Sequence, residues 1–410
     1  MDTSPTRPTR TAASPPSART ARTAVIPALA AIWSALTIAL GLWWWALPDA
    51  YPFVPGNADA FGTAFDVVPA AAVPPALVAA GAWGLVVSGP ARRRAALVIV
   101  TGVGYALLFG LALPGLQPVS LAGYVMAMFG PIVLAAAIVA GAWRRRGGLT
   151  AVAVLVLVGA AGWISGIADA GVLARYVGFI TASVGKFGPP SALLLLLAGG
   201  LLWGVLAVRT ALAQRAGRPA PAWTRPESAA RWGRTATLIA AACALPYGLQ
   251  RLTWLTPWPV AMTADELAAH PETRLHGLLL GLAALAGALL TIGLISRWGE
   301  VWPRWMPVVR GRPVPVAAAV VPGAIVAALF TAAALPMTLM WFDAGTPWTA
   351  LVFPFPVWGP ALGAAVLAYA LRRRTEPALA ARGDIEVMAD TALFVGRGVA
   401  VHEHDPGRLG

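Results

Sequence analysis

The sequence predicts an all-α fold, that of a polytopic helical membrane protein with about ten transmembrane helices. Of its 410 residues, 58% are hydrophobic and 11% are charged, whereas soluble domains contain roughly 45–50% apolar and about 25% charged residues. The placement of arginine is the second indication, because positively charged loops stay on the cytoplasmic side of a membrane. Arginine clusters follow every second long apolar stretch, at Arg92–Arg94, Arg144–Arg146, Arg209–Arg234, Arg297–Arg312 and Arg372–Arg374.

Ten apolar segments are long enough to cross a bilayer, since a helix needs about 20 apolar residues to span a hydrocarbon core of about 30 Å. They lie near residues 24–46, 68–89, 95–115, 120–143, 149–172, 189–209, 235–255, 275–296, 315–337 and 350–371. The arginine clusters then predict that both termini are cytoplasmic. In this arrangement, four of the 30 Lys and Arg residues lie on the outer side, namely Arg175, Lys186, Arg251 and Arg274.

This arrangement predicts three regions of a multi-pass membrane protein. A cytoplasmic tail occupies residues 1–23, the ten-helix transmembrane domain occupies residues 24–372, and a second cytoplasmic tail occupies residues 373–410. We expect the first tail to be disordered, because it is rich in Pro, Ser, Thr and Arg and has little apolar surface to bury. The first span is longer than the apolar core of a signal peptide, which favours an uncleaved anchor.

The net charge of +13 does not indicate nucleic-acid binding, because the arginines form short clusters beside apolar spans. The expected partners are the lipid bilayer with its anionic headgroups, and a membrane or cytoplasmic protein. Cys243 is the only cysteine in the sequence, which excludes an intramolecular disulfide. No metal site and no cofactor are expected, since metal-ligand spacing is absent from the four histidines His270, His276, His402 and His404.

Two parts of the sequence resemble each other. Ala106–Pro114 followed by Phe129–Pro131 is similar to Ala328–Pro336 followed by Trp358–Pro360, and each pair leads to an arginine triplet. Because both copies start on the same side of the membrane, the similarity predicts a parallel internal repeat relating spans one to four to spans seven to ten. The alternative is that a sequence so rich in Ala, Leu and Gly produces such matches without duplication.

Polar residues inside apolar spans are the usual indicators of function in membrane proteins, because burying them in hydrocarbon is costly. Asp169 lies in the outer third of span five, His276 in the outer turn of span eight, and Gln250 with Arg251 near the outer end of span seven. We interpret these four residues as an outer polar vestibule. The alternative is that each lies at the wet interface, with Asp169 paired to Arg175 or Arg251. No catalytic residue is predicted.

The loop between spans eight and nine is rich in tryptophan and arginine. It contains Arg297, Trp298, Glu300, Trp302, Arg304 and Trp305. The tryptophans recur at roughly helical spacing, and Glu300 can pair with Arg297 or Arg304. The pattern predicts an interfacial loop with its indoles towards the acyl chains and its guanidinium groups on lipid phosphates. A docking surface for a cytoplasmic partner is the alternative.

The segment Thr291–Pro307, with Leu245–Gly248 upstream and Arg312–Pro315 downstream, resembles a group of uncharacterised actinobacterial multi-pass membrane proteins. The resemblance covers spans seven to nine. It implies the class and the bacterial origin of the chain, and it implies no particular activity.

Three functions remain open from the sequence. Because no catalytic constellation is visible and few ionisable residues lie within spans, the sequence favours a non-enzymatic accessory or scaffold protein. The alternative is a permease for a small apolar or weakly polar solute, indicated by prolines within spans and by the outer polar residues. An intramembrane enzyme acting on lipid-linked substrates has the least support, because no second catalytic group stands at a defined spacing.

Overall fold

The computed structural model describes residues 18–53, 68–89, 95–142, 148–184, 188–303, 310–343 and 349–373. Both predicted tails lie almost wholly outside these residues. The described residues are predominantly helical, and they contain one isolated antiparallel bridge between Val301 and Pro313. The helices are α1 Ala18–Ala46, α2 Val73–Ser88, α3 Ala95–Leu107, α4 Gln117–Ala142, α5 Gly148–Ile164, α6 Ala170–Val184, α7 Gly188–Gln214, α8 Pro226–Leu252, α9 Ala264–Ala269, α10 Pro271–Gly293, α11 Val316–Asp343, α12 Thr349–Val352 and α13 Phe355–Arg373.

Within the described ranges, seven helices are long and apolar enough to cross a membrane. They are Val25–Ala46, Ala70–Ser88, Ala95–Ala112, Ser191–Gln214, Pro271–Gly293, Val316–Phe342 and Thr349–Arg373, and they coincide with predicted spans one, two, three, six, eight, nine and ten. The all-helical fold with apolar, membrane-type helices is therefore confirmed. The count of about ten spans stays a prediction.

Three predicted spans correspond to helices outside this set of seven. The described apolar parts of α4 and α5 are shorter, at Gln117–Val133 and Val152–Ile164. Helix α8 is long enough but more polar, because its 27 residues include the charged side chains Glu227, Arg231, Arg234 and Arg251.

The structure divides the predicted fifth span. Helix α5 ends at Ile164, and α6 begins at Ala170 after a short turn. Gly166 adopts a φ of +69° in this turn, a left-handed conformation that glycine accepts readily. Asp169 then begins α6, because its Oδ1 accepts a hydrogen bond of 2.8 Å from the backbone N–H of Val172, as a helix N-cap does. Residues 170–184, which the sequence assigned largely to an outer loop, are thus helical.

The chain forms two compact units, and the first comprises Met1–Gly115 and Gly188–Gly217. In it α1 packs along α2, and α3 packs along α7. The first contact is very close, since a Cβ atom at Gly81 would lie 2.5 Å from the carbonyl oxygen of Ser34. Edge-on aromatic rings fill the core of this unit, and they belong to Trp33, Tyr105, Phe109 and Trp203.

The second unit comprises Leu116–Phe187 and Arg218–Gly410. Helix α8 packs against both α10 and α13, and α11 packs against α13. A Cβ at Gly359 of α13 would lie 2.5 Å from the backbone nitrogen of Thr331 in α11, so glycine permits this close approach. Small buried residues, including Ala240, Ala333 and Ala365, form the centre of the unit together with Tyr369.

The internal repeat stays a prediction. The first copy is divided between the two units, because Ala106–Pro114 belongs to the first unit and Phe129–Pro131 to the second. Both parts of the second copy lie in the second unit. The local structure differs as well: Leu108–Ala112 forms a π-helical turn after α3, whereas its counterpart stays within the α-helix α11.

Candidate functional site

The polar residues predicted for the vestibule lie mostly where α8 ends and α10 begins, in the second unit. These two helix ends approach each other closely because α10 carries glycine at the contact. A Cβ at Gly281 would lie 2.5 Å from Cβ of Arg251, and a Cβ at Gly277 would overlap the ring of Trp254. The glycines of α10 thus allow the end of α8 to pack directly against the α10 backbone.

Gln250 and Trp254 hold the segment that follows α8. The Gln250 side-chain nitrogen donates to the carbonyl oxygen of Val260 at 2.7 Å, and the Trp254 indole N–H donates to the same oxygen at 2.9 Å. Arg274 Nε of α10 donates to the Trp254 carbonyl at 2.9 Å. Gln250 is buried, so it fixes the loop conformation through its amide.

Arg251 is placed by aromatic rings. Its guanidinium carbon lies 4.1 Å from the ring centre of Trp254 and 5.0 Å from that of Tyr247, both within the range of a cation–π interaction. Its Nε is buried and has no hydrogen-bond partner among the residues that the structure describes. Among the described residues, no carboxylate lies within ion-pair distance of this guanidinium. The rings of Trp254 and Tyr247 therefore contact the planar face of the guanidinium. Its N–H groups have no partner among the described residues.

A cavity of about 220 Å³ opens beside this guanidinium. It is lined by Gln250, Arg251, Trp254, Ala261, Met262, Val352 and Phe353. Arg251 is the only charged residue of the lining, and most of the wall is apolar. Ala261 has a φ of +69°, which is unusual for a residue other than glycine and marks local backbone strain in the wall.

His276 belongs to an aromatic cluster next to this cavity and does not line it. Its ring stacks on Tyr124 with ring centres 4.9 Å apart and lies 5.4 Å from Phe179. The Tyr176 hydroxyl oxygen is 3.4 Å from Nδ1 of His276. The next residue in the chain, Gly277, packs on the Trp254 ring, so His276 lies in the neighbourhood of the cavity.

Asp169 does not join the cavity, because its carboxylate caps α6. The suggested pairing of Asp169 with Arg175 or Arg251 is not found. Instead, Arg175 Nε lies 3.8 Å from Oε2 of Glu272, whose other carboxylate oxygen is 3.3 Å from Nδ1 of His270. The structure thus brings Gln250 and Arg251 together, places His276 close by, and leaves Asp169 outside.

The sequence missed the apolar wall of the site. Phe353 and Val352 come from the region of α12, about one hundred residues away in the chain, and Met262 comes from the irregular segment before α9. Nothing in their local sequence distinguishes them from ordinary apolar residues. Trp254 could have been found, because residues three positions apart on a helix are neighbours and a guanidinium is attracted to the face of a tryptophan ring.

The interfacial loop does not form the continuous helix that its tryptophan spacing suggested. Arg297–Gly299 is a single 3₁₀ turn, and the chain then pairs with itself. The backbone N–H of Trp302 donates to the Arg312 carbonyl, and that of Gly311 donates to the Trp302 carbonyl, both at 3.0 Å. Trp298 and Val301 keep partly exposed side chains. Arg304 and Trp305 lie outside the described residues.

The last turn of α13 holds this loop. Arg372 Nη1 donates to Oε1 of Glu300 at 3.1 Å, so Glu300 pairs with Arg372 and the expected pairing with Arg297 is not found. A second Arg372 nitrogen donates to the Leu294 carbonyl. The Tyr369 hydroxyl donates to the Gly299 carbonyl at 2.8 Å, and Arg373 donates to the Val314 carbonyl at 3.1 Å. We call residues 294–303 with 310–314 the clamped loop.

No group of three or more His, Cys, Asp or Glu side chains that could hold a metal ion occurs in the described part of the chain. The fold and the site define a class of protein: the described ranges are helical and contain seven candidate membrane spans, which indicate a membrane location. Comparison with models of known protein families, with curated proteins and with solved structures finds no match to this chain.

Proposed function

We propose that this chain is a non-enzymatic accessory or scaffold protein of the bacterial plasma membrane, with both termini in the cytoplasm. The clamped loop is the observation that supports the proposal. A scaffold must present a defined surface, and the end of α13 fixes this loop through Tyr369, Arg372 and Arg373. Hydrogen bonds to charged groups are among the stronger polar contacts in proteins.

The exposed side of the clamped loop has the composition of a docking surface. Arg297, Trp298 and Val301 are exposed, as are Arg310 and Arg312. Arginine and tryptophan are both enriched in protein interfaces, because each offers a large contact area together with hydrogen-bond donors. By the arginine pattern, this surface faces the cytoplasm, where a membrane-associated or cytoplasmic partner would meet it.

Site-specific photo-crosslinking in living cells tests the proposal. A photoreactive amino acid replaces Val301, and as the matched control it replaces Leu289, which is 64% exposed on α10 and is expected to face lipid. We expect a discrete protein adduct from position 301 and none from position 289. In the same protein, Arg372→Gln should reduce the yield of this adduct because it releases Glu300.

Two results would contradict the scaffold. One is that position 301 gives only the lipid adducts seen at position 289. The other is that the purified protein in liposomes carries a solute across the bilayer at a rate that empty liposomes do not show. The second result would also identify the rival function.

A permease for a small, weakly polar solute is the second candidate, and the Arg251 cavity favours it. Pro246 lies within α8, five residues before Arg251; a proline in a helix interior removes a backbone hydrogen bond and weakens the helix locally. If the protein is a permease, flux in liposomes should fall when Val352→Trp fills the cavity. Unchanged flux in that variant would remove the cavity from any transport path.

A further inference from the structure

The guanidinium of Arg251 has donors for which the described residues offer no acceptor. An arginine carries five N–H groups at its edge, whereas its contacts with Trp254 and Tyr247 involve the rings and the face of the cation. The Nε is enclosed by protein and has no partner among the described residues, and no described carboxylate pairs with the group. The outer nitrogens Nη1 and Nη2 are not enclosed in this way, so they are the donors that a ligand can reach. Buried donors without acceptors are rare in native proteins, and a bound water or ion is one of the explanations for them. The acceptor that fits a planar fork of N–H donors is an oxyanion.

The cavity next to Arg251 limits the size of such a ligand. Its volume of about 220 Å³ corresponds to about seven water molecules at roughly 30 Å³ each. This is below the range of about 300–1,000 Å³ typical of pockets that enclose whole small molecules. A phosphate group with its first attached carbons would fit, and the rest of a larger ligand would have to lie outside.

The surroundings indicate what the rest of the ligand is. Met262, Val352 and Phe353 make the wall apolar, and Leu255, which follows Trp254 in the chain, is 51% exposed. A free inorganic anion makes no use of such a surface. A lipid does, since its headgroup oxygens can reach the guanidinium while its acyl chains cover the apolar side chains.

We propose that the Arg251 cavity binds the phosphodiester of an anionic phospholipid from the leaflet that contains this end of α8. The outer N–H groups of Arg251, on Nη1 and Nη2, donate to the phosphate oxygens, Phe353 and Met262 pack on the glycerol region, and the acyl chains extend over exposed apolar side chains such as Leu255. Arg274, which is hydrogen-bonded to Trp254, brings a second positive charge to the same loop. The inference goes beyond a scaffold role and holds whether or not the clamped loop binds a protein.

Native mass spectrometry of the full-length protein in detergent tests the inference. The probes are phosphatidylglycerol, phosphatidylcholine with the same acyl chains, and inorganic phosphate. We expect phosphatidylglycerol to bind best, and Arg251→Gln to weaken this binding about tenfold or more, which is the effect of losing a charge-assisted hydrogen bond. Arg251→Lys should weaken it less. Arg215→Gln, which removes an exposed arginine elsewhere, should leave it unchanged.

A second variant keeps the test independent of the charge. Val352→Trp fills the cavity from α12 and retains Arg251, so it should abolish preferential binding of phosphatidylglycerol while the thermal unfolding temperature stays close to that of the parent. Equal binding of phosphatidylglycerol by the parent, Arg251→Gln and Val352→Trp would overturn the proposal. Saturation of the site by inorganic phosphate, with displacement of the lipid, would overturn the lipid as the source of the oxyanion.

Discussion

Helix α10 connects two ends of the second unit that use arginine differently. At its C-terminal end, Arg372 and Arg373 donate hydrogen bonds to the clamped loop. At its N-terminal end, about 34 Å away for 23 residues at about 1.5 Å each, Arg251 donates none to the described residues. In the sequence, the clustered arginines, including Arg372, are signals of topology, and Arg251 is a residue of the predicted polar vestibule. Arg372 and Arg373 therefore stabilise the fold, whereas the described residues leave donors of Arg251 without acceptors.

The largest expected effect is that the two ends of α10 are accessible from opposite sides of the membrane. In a Cys243→Ala background, we expect a membrane-impermeant maleimide added to intact cells to label Trp258→Cys, because Trp258 is 81% exposed on the predicted outer side. Arg310→Cys, in the clamped loop, should react only after the membrane is permeabilised. Labelling of both positions from the same side would contradict the proposed topology and with it the expected cytoplasmic partner.

The second prediction compares the stabilities of the two ends. Arg372→Met removes two hydrogen bonds and leaves Glu300 without its partner, so we expect the free energy of unfolding to fall by about 2–4 kcal/mol. Arg251→Met in lipid-free detergent should cost only about 1 kcal/mol or less, since mainly cation–π contacts are lost. Unfolding in increasing denaturant measures both. Equal losses would mean that Arg251 is a structural residue like Arg372.

The third prediction concerns the packing beneath the Arg251 cavity. Gly277→Ala places a Cβ against the ring of Trp254, so Trp254 has to move, and we expect a loss of about 1–3 kcal/mol. The control is Gly287→Ala on the same helix, where a Cβ would meet nothing within 4 Å. That variant should be neutral or slightly stabilising, because alanine favours the helix by about 1 kcal/mol over glycine. Similar effects of the two changes would show that the contact is loose.

The sequence was sufficient for the helices and insufficient for their contacts. Long apolar runs bounded by arginine clusters predicted spans such as 275–296 and 315–337, because burial in lipid depends on local composition. The division of span five was missed, since Asp169 was interpreted as a polar residue in a span when it acts as an N-cap. The pairing of Arg372 with Glu300 joins residues 72 positions apart, and local spacing carries no information about such a pair.

The candidate site shows the same limit. Gln250 and Arg251 were predicted together because both are polar residues near the outer end of span seven, and both line the cavity. Their roles differ for a reason that composition does not encode: the Val260 carbonyl accepts from Gln250, while no described acceptor reaches Arg251. Asp169 was grouped with them by its depth along a span, and that depth does not determine which side of a helix a residue occupies.

The smallest expected effect is a local dependence on pH beside the cavity, in the short helix α9. The Thr263 backbone N–H donates to the Glu266 carboxylate at 2.7 Å, the Thr263 hydroxyl does so at 2.9 Å, and the Glu266 N–H returns a bond to that hydroxyl. This is a capping box. The bonds from Thr263 hold the pKa of Glu266 below its ordinary value. A carboxylate whose pKa is lower in the folded state stabilises that state above its unfolded pKa of about 4.3.

The contribution of the capping box is therefore complete at neutral pH and is lost as the pH falls through the lowered pKa of Glu266. Hydrogen exchange at the Leu267 and His270 amides, corrected for the intrinsic rate at each pH, should show more frequent opening at acidic pH than at pH 7. Glu266→Gln should open to the same extent at both. The Gly287 segment of α10, which contains no acid, provides the internal reference. Helix α9 leads directly into α10, so an opening of α9 that spread to the cavity would also weaken lipid binding at acidic pH. An opening confined to α9 would leave lipid binding at the Arg251 site unchanged and would show that the two helices open independently.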